Sequence, residues 1–101
     1  MRLFSIPIQF DWDKGNLDKN KIKHNVTTQE AEEIFSNEPL IIHEDELHST
    51  RELRYNALGK TSTNRRLHAT FTVRSKKVRI ISIRDMDRRE GSIYESAEKD
   101  S

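Results

Sequence analysis

The sequence predicts an α+β domain: an antiparallel sheet of about four to five strands, with two N-terminal helices before it and a C-terminal helix after it. Three observations carry this expectation. Leu67, Ala69, Phe71 and Val73 alternate with Arg66, His68, Thr70, Thr72 and Arg74, the period-two pattern of a strand with one apolar face. Thr27-Thr28-Gln29-Glu30 is a capping box, in which hydroxyl and carboxylate satisfy the free N–H groups that open a helix. Short apolar runs follow one another through the middle of the chain with only turns and loops between them. Strands joined in that way pair antiparallel, because a parallel pair needs a long crossover.

The elements follow in order. Ile8, Phe10 and Trp12 alternate with Gln9 and Asp11, which predicts a short strand over 8–12. Asp13 then caps a helix reaching about Lys23. The second helix starts at the capping box, with Val26 and Ala31 as a hydrophobic staple and Ala31, Ile34 and Phe35 on one face. Ser36-Asn37-Glu38-Pro39 ends it, since the residue before proline is pushed out of helical space. Strands are expected over 40–43 and over 53–58, the latter stopped by Gly59, with an acidic loop from Glu44 to Thr50 between them. Ser75-Lys76-Lys77 reads as a hairpin turn into Val78–Arg84, a strand apolar on both faces and therefore expected to be central. Asp85 or Asp87 caps the last helix, where Met86, Glu90, Ile93, Tyr94 and Ala97 share a face and the tail from Glu98 frays.

Size and composition bound the rest. The 101 residues are expected to form a single domain over 1–101, with its core at about 8–97. Only 33% of residues are hydrophobic and 35% are charged, and no run approaches the roughly 20 apolar residues that span a bilayer. The opening residues lack the long apolar core of a signal peptide. With no cysteine there are no disulfides and no thiolate metal sites, and a cytoplasmic setting is expected. The net charge is only +1, yet it is unevenly spread. Residues 28–52 are rich in Glu and Asp, whereas residues 60–89 carry Lys60, Arg65, Arg66, Arg74, Lys76, Lys77, Arg79, Arg84, Arg88 and Arg89 against Asp85 and Asp87. Such a local basic surface suits phosphates, the simpler alternative being solvated strand edges.

Several groups are candidates for chemistry. Asn20, Lys23 and His24 fall at i, i+3 and i+4, so a helix puts an amide, an ammonium and an imidazole on one face. Together they would hold a phosphate and move a proton, although Lys and His also suit the last turn of any helix. Arg66, His68 and Arg74 share a strand face, and Arg79 and Arg84 lie on the hairpin partner. Arginine offers phosphate a planar fork, and the alternative is pairing with the chain's carboxylates. Glu90 and Tyr94 form an i, i+4 pair on the inward face of the last helix, where the carboxylate needs a cation such as Arg84 or Arg79. His43 and His48 are five apart and lack the spacing of a helical metal site, so that loop is read as solvated and no metal or other cofactor is expected. His48 remains a candidate to contribute from the loop.

These residues in order resemble a known family. Phe10-Asp11-Trp12-Asp13, Asn20, Lys23-His24-Asn25-Val26 and Glu30, Glu32, Glu33, Ile34, Phe35 resemble the opening of BrnT-type toxins. Pro39, Asp45, His48-Ser49, Glu52, Arg54 and Gly59 continue the match, and Arg79-Ile80-Ile81-Ser82-Ile83-Arg84, Arg88, Glu90 and Tyr94-Glu95 close it, over roughly residues 8–95. The chain departs at Asn16, where a lysine is usual, at Asn25, where glycine is common, and at Ile83, where alanine is usual. The resemblance implies a RelE-like fold and the toxin of a type II toxin–antitoxin pair. It implies an endoribonuclease that cleaves RNA without a metal, through the 2′-hydroxyl, and so stops translation and growth. It also implies a ribbon-helix-helix antitoxin of BrnA type, a two-plus-two toxin–antitoxin assembly, and contact with operator DNA only through the antitoxin. Lys23, His24, Arg79, Arg84 and Glu90 are the expected catalytic residues, with Asn20, Arg66, His48 and Tyr94 binding substrate. The rival readings are a non-catalytic RNA- or ribosome-binding module and a protein-interaction domain.

Overall fold

Hairpin pairing orders the chain. A computed structural model describes residues 8–12, 24–48 and 52–100. In chain order these form helix α1 (Thr28–Glu33), strand β1 (Ile41–Glu44), a 3-10 turn (Glu46–His48), strands β2 (Tyr55–Lys60), β3 (Arg66–Arg74) and β4 (Lys77–Asp85), and helix α2 (Arg88–Asp100). The sheet runs β1-β2-β3-β4, each strand antiparallel to the next. Among the described residues there are thus two helices, not three. The helix expected from Asp13 to about Lys23 lies outside the described residues. The strand expected over 8–12 is reduced to one parallel bridge, Phe10 to Val78, with Asp11 N–H donating to the Val78 carbonyl and Val78 N–H to that of Gln9.

The capping box forms as the sequence predicts. The Thr27 hydroxyl accepts from Glu30 N–H at 3.1 Å, and the Glu30 carboxylate accepts from Thr27 N–H at 3.0 Å. Asn25, just before it, sits at φ 52°, the left-handed conformation that asparagine shares with glycine. Val26, Ala31, Ile34 and Phe35 then pack on Ala57, Leu67, Ala69, Phe71, Val78, Ile80 and Ile83 to form the core. Phe35 meets Phe71 edge-on at 5.2 Å, a favoured aromatic geometry.

Four details correct the sequence reading. Gly59 does not stop β2 but lies inside it, opposite Leu67, and Leu53 precedes the strand, 55% exposed. The Ser75-Lys76 turn has two residues, both at positive φ as a twisted hairpin requires, and Lys77 already belongs to β4. β4 is the last strand of the sheet, not an inner one. Its two-faced apolar pattern comes from a bulge: Ile80 opposes Phe71 and Ser82 opposes Thr70, leaving Ile81 as the extra residue. The bulge reverses the alternation, so Val78 and Ile80 before it and Ile83 after it all reach the core. Finally, α2 stays helical to Asp100, capped by Asp87 rather than Asp85, and its Ile93 faces outward. The tail holds because Glu98 bonds Lys60 at 3.0 Å and Arg66 at 2.7 Å.

Gly59 is required by close approach. A Cβ built there would lie 2.9 Å from both Cβ and the carbonyl oxygen of Ile34. Gly59→Ala is therefore expected to destabilise the fold by about 1–3 kcal/mol through overpacking. Urea denaturation measures this, and a variant as stable as the parent would refute the packing of Ile34 against β2.

Candidate active site

Register divides the sheet into two chemical faces. Ala57, Ala69 and Ile83 align across β2, β3 and β4 on the core face, against α1. The opposite face carries Leu58, His68 and Arg84 in one row and His43, Asn56, Thr70 and Ser82 in the next. α2 packs on this face and makes its described polar contacts with one end of it. Its Glu90 reaches Arg84 and His68, its Glu98 reaches Lys60 and Arg66, and Tyr94 lies under Arg66, whose guanidinium carbon is 5.7 Å from the ring centroid.

The Arg84–Glu90 pair is the centre of the arrangement. Arg84 donates from Nη1 to Glu90 Oε1 at 2.8 Å and from Nη2 to Oε2 at 3.0 Å. Nη1 also donates to the Asp85 carbonyl at 3.1 Å. Five N–H donors are available on a guanidinium. Among the described residues nothing occupies Nε–H or the second Nη2–H of Arg84, and these two form the side-on fork that suits a phosphate. Glu90 is ionised and fully engaged. Burial by itself would raise its carboxyl, but the Arg84 hydrogen bonds and the Asp87 N–H at 2.9 Å outweigh that and hold it below the usual carboxylate range. Glu90 in turn raises Arg84 against the effect of burial.

His68, opposite Arg84 in the β3–β4 register, is brought into this pair by folding. Its Nε2 lies 3.7 Å from Glu90 Oε2, too long for a hydrogen bond. The side chain is only 15% exposed. Burial lowers its pKa below the ordinary value, the Glu90 charge opposes the shift, and Arg84 and His43 reinforce it. The contact with Glu90 is therefore not an ion pair at neutral pH. His68 stands there as a neutral imidazole, a form that accepts a proton.

The other expected site residues are dispersed. Arg79 faces Asp11 at 3.6 Å, and Arg74 bonds Glu52 at 3.1 Å, so the hairpin's arginines are largely paired with carboxylates. Tyr94 is fully buried and its hydroxyl donates to the Pro39 carbonyl at 2.6 Å, which anchors the chain just before β1. Lys23 and Asn20 lie outside the described residues, as does the side chain of His48. His24 is held through its backbone: Arg65 Nη2 donates to the His24 carbonyl at 3.0 Å. His24 also lies close enough to lower the Asp85 carboxyl, after the larger effect of Arg65. Among the described residues no hydrogen bond joins His24 to Arg84 or Glu90. An open depression on the α1 side, lined by Ile8, Phe10, Gln29, Glu32, Glu33, Phe35 and Ser36, offers carboxylates and no cation, so it does not suit a phosphate.

A constellation of a free arginine fork, a neutral histidine and an engaged carboxylate is suited to phosphodiester chemistry. Residues 12–90 match the family described as ribonuclease toxin, BrnT, of type II toxin–antitoxin systems. The chain belongs to the BrnT family. Among curated proteins none matches it. Membership makes RNA the substrate class and an antitoxin the partner of this BrnT chain. No helix among its described residues is long and apolar enough to cross a membrane.

The sequence puts His68 among the candidate residues of the polar face but gives it no catalytic or binding role. Its position opposite Arg84 and beside Glu90 depends on strand register and helix docking, which spacing along one strand does not carry. The neutral state is directly measurable. In an NMR titration His68 is expected to have its midpoint below the ordinary value near 6.5. Glu90→Gln removes the charge that favours protonation, so it should lower the midpoint further. A midpoint above 6.5, or an upward move in the variant, would contradict this account.

Proposed function

We propose that this BrnT chain is a metal-independent endoribonuclease of RelE-like fold that cleaves RNA through its own 2′-hydroxyl and thereby inhibits translation and growth. The observation that carries the reading is the free fork of Arg84, held in place by Glu90 next to the neutral His68. Cleavage of this kind needs three things: a base for the 2′-hydroxyl, positive charge on the pentavalent phosphorane, and a proton for the leaving 5′-oxygen. His68 takes the 2′-hydroxyl proton. Arg84 binds the phosphate side-on and stabilises the charge that builds on it, with Arg79 further along the face. Lys23 and His24 supply the proton to the 5′-oxygen. Glu90 is a positioning residue, since both its oxygens already accept from Arg84. Arg66, Asn20 and His48 track the strand, and Tyr94 supports Arg66 from beneath. The partner that silences the toxin is a BrnA-type ribbon-helix-helix antitoxin in a two-plus-two assembly, through which operator DNA is reached.

Purified protein and a defined RNA test the reading. Cleavage is expected to persist in EDTA and to vanish when each 2′-hydroxyl is replaced by hydrogen. Arg84→Ala and His68→Gln should each reduce kcat by roughly a hundredfold or more, as loss of a charge-stabilising donor or a general base does. Folded variants that cut at the parental rate would sink the assignment. Because His68 must be neutral to act and burial lowers its pKa, the acid limb of the pH profile should fall below pH 6.5.

A further inference from the structure

The polar row beside the cleavage centre has a chemistry of its own. Asn56 of β2 pairs with Thr70 of β3, which pairs with Ser82 of β4, while His43 of β1 flanks Asn56 on the other side. All four side chains share the face that carries His68 and Arg84. They lie one row beyond these residues, about 7 Å along the strands at 3.4 Å per residue. The described polar contacts of α2 fall on Lys60, Arg66, His68, Arg84 and Pro39, and none of them is in this row.

Asn56 is oriented. The Thr70 hydroxyl donates to its Oδ1 at 2.9 Å. That bond takes one of the oxygen's two lone pairs and turns Oδ1 towards Thr70, which leaves Nδ2 as the end facing away from it. The Nδ2 group makes no hydrogen bond to another described residue, so Asn56 presents donors to whatever lies on the face. A free asparagine, with donor and acceptor side by side, suits adenine. An asparagine whose oxygen is already engaged suits a base edge made of acceptors. Guanine offers O6 and N7, and uracil offers O4, whereas adenine and cytosine present an amino group at the equivalent position.

We propose that Asn56, held by Thr70, is a nucleobase-reading residue of this site and selects keto bases, guanine and uracil, over amino bases. The inference rests on the ribonuclease reading for its placement, but it is tested by binding as well as by cutting. Poly(U) and poly(C) differ at O4 against an amino group and at N3, so 3-deazacytosine in place of cytosine, which removes the N3 acceptor and keeps the amino group, completes the comparison. The parent protein is expected to bind poly(U) at least tenfold more tightly than poly(C) at one fixed salt concentration. Its cuts in a mixed-sequence RNA should cluster at guanine and uracil, and inosine, which keeps O6 and N7, should replace guanine without loss.

Asn56→Asp turns the donors into acceptors and should reverse the preference towards cytosine. Thr70→Val keeps the strand and its volume but frees the amide, and should flatten the preference. The ratio is the readout, so a general loss of affinity or rate does not mimic the effect. Binding without discrimination, or discrimination unchanged in both variants, would overturn the proposal even if RNA is cut. Discrimination that depends on Asn56 in a protein that never cuts would support it while the cleavage reading failed.

Discussion

Arg65 ties the separate layers of this protein to one another. Its Nε and Nη2 donate to the two oxygens of Asp85 at 2.7 and 3.0 Å, at the end of β4. Nη1 donates to the Asn25 carbonyl at 2.9 Å and to the Glu30 carboxylate of the capping box at 3.2 Å, while Nη2 also reaches the His24 carbonyl. One planar guanidinium therefore joins the segment before α1, the first turn of α1 and the edge strand of the sheet. A lysine presents a single point charge and would not satisfy this set of acceptors. Arg65 is 26% exposed but Asp85 is 63% exposed, so this pair is screened as a surface pair is, and the tether rests on the number of acceptors that one guanidinium joins. Both partners respond: Asp85 lies below its ordinary pKa chiefly through Arg65, and Glu30 through the Thr27 backbone with Arg65 adding to it.

The same tethering bears on the site. Asp85 follows Arg84, so the clamp that holds α1 to the sheet also holds the backbone beside the Arg84 guanidinium. On the other side of that residue Glu90 grips Arg84, and Asp87 caps the helix that carries Glu90. Arg84 is thus fixed from its backbone and from its guanidinium. Arg65, Arg66, Arg74, Arg79 and Arg84 all face carboxylates, whereas Lys76, Lys77, Arg88 and Arg89 of the same basic half are exposed.

Much of this was legible along the chain. β3 was read with its true limits, because strict alternation over 66–74 leaves one register for the buried face. The capping box named the start of α1 because both of its bonds are local. The Glu90–Arg84 pair was among those foreseen, since an inward carboxylate needs a cation. β4 departs from its expected central place because a bulge adds one residue, and apolar residues on both sides of a phase change look like a strand buried on both faces. Gly59 looks like a strand end because glycine punctuates a chain by default, whereas here it makes room for Ile34.

The sequence by itself determined the α+β class, the antiparallel meander and the ordered set of motifs that marks the family, because each depends on neighbours within a few residues. Only the tertiary structure decided which polar residues work together. His68 meets Glu90 across 22 positions of sequence, and Arg65 meets His24 across 41. Those meetings depend on register, on the bulge in β4 and on the path of α2 over the end of the sheet. Burial then removes water from His68, and that desolvation, which no residue pattern states, leaves the imidazole neutral beside an arginine with a free fork.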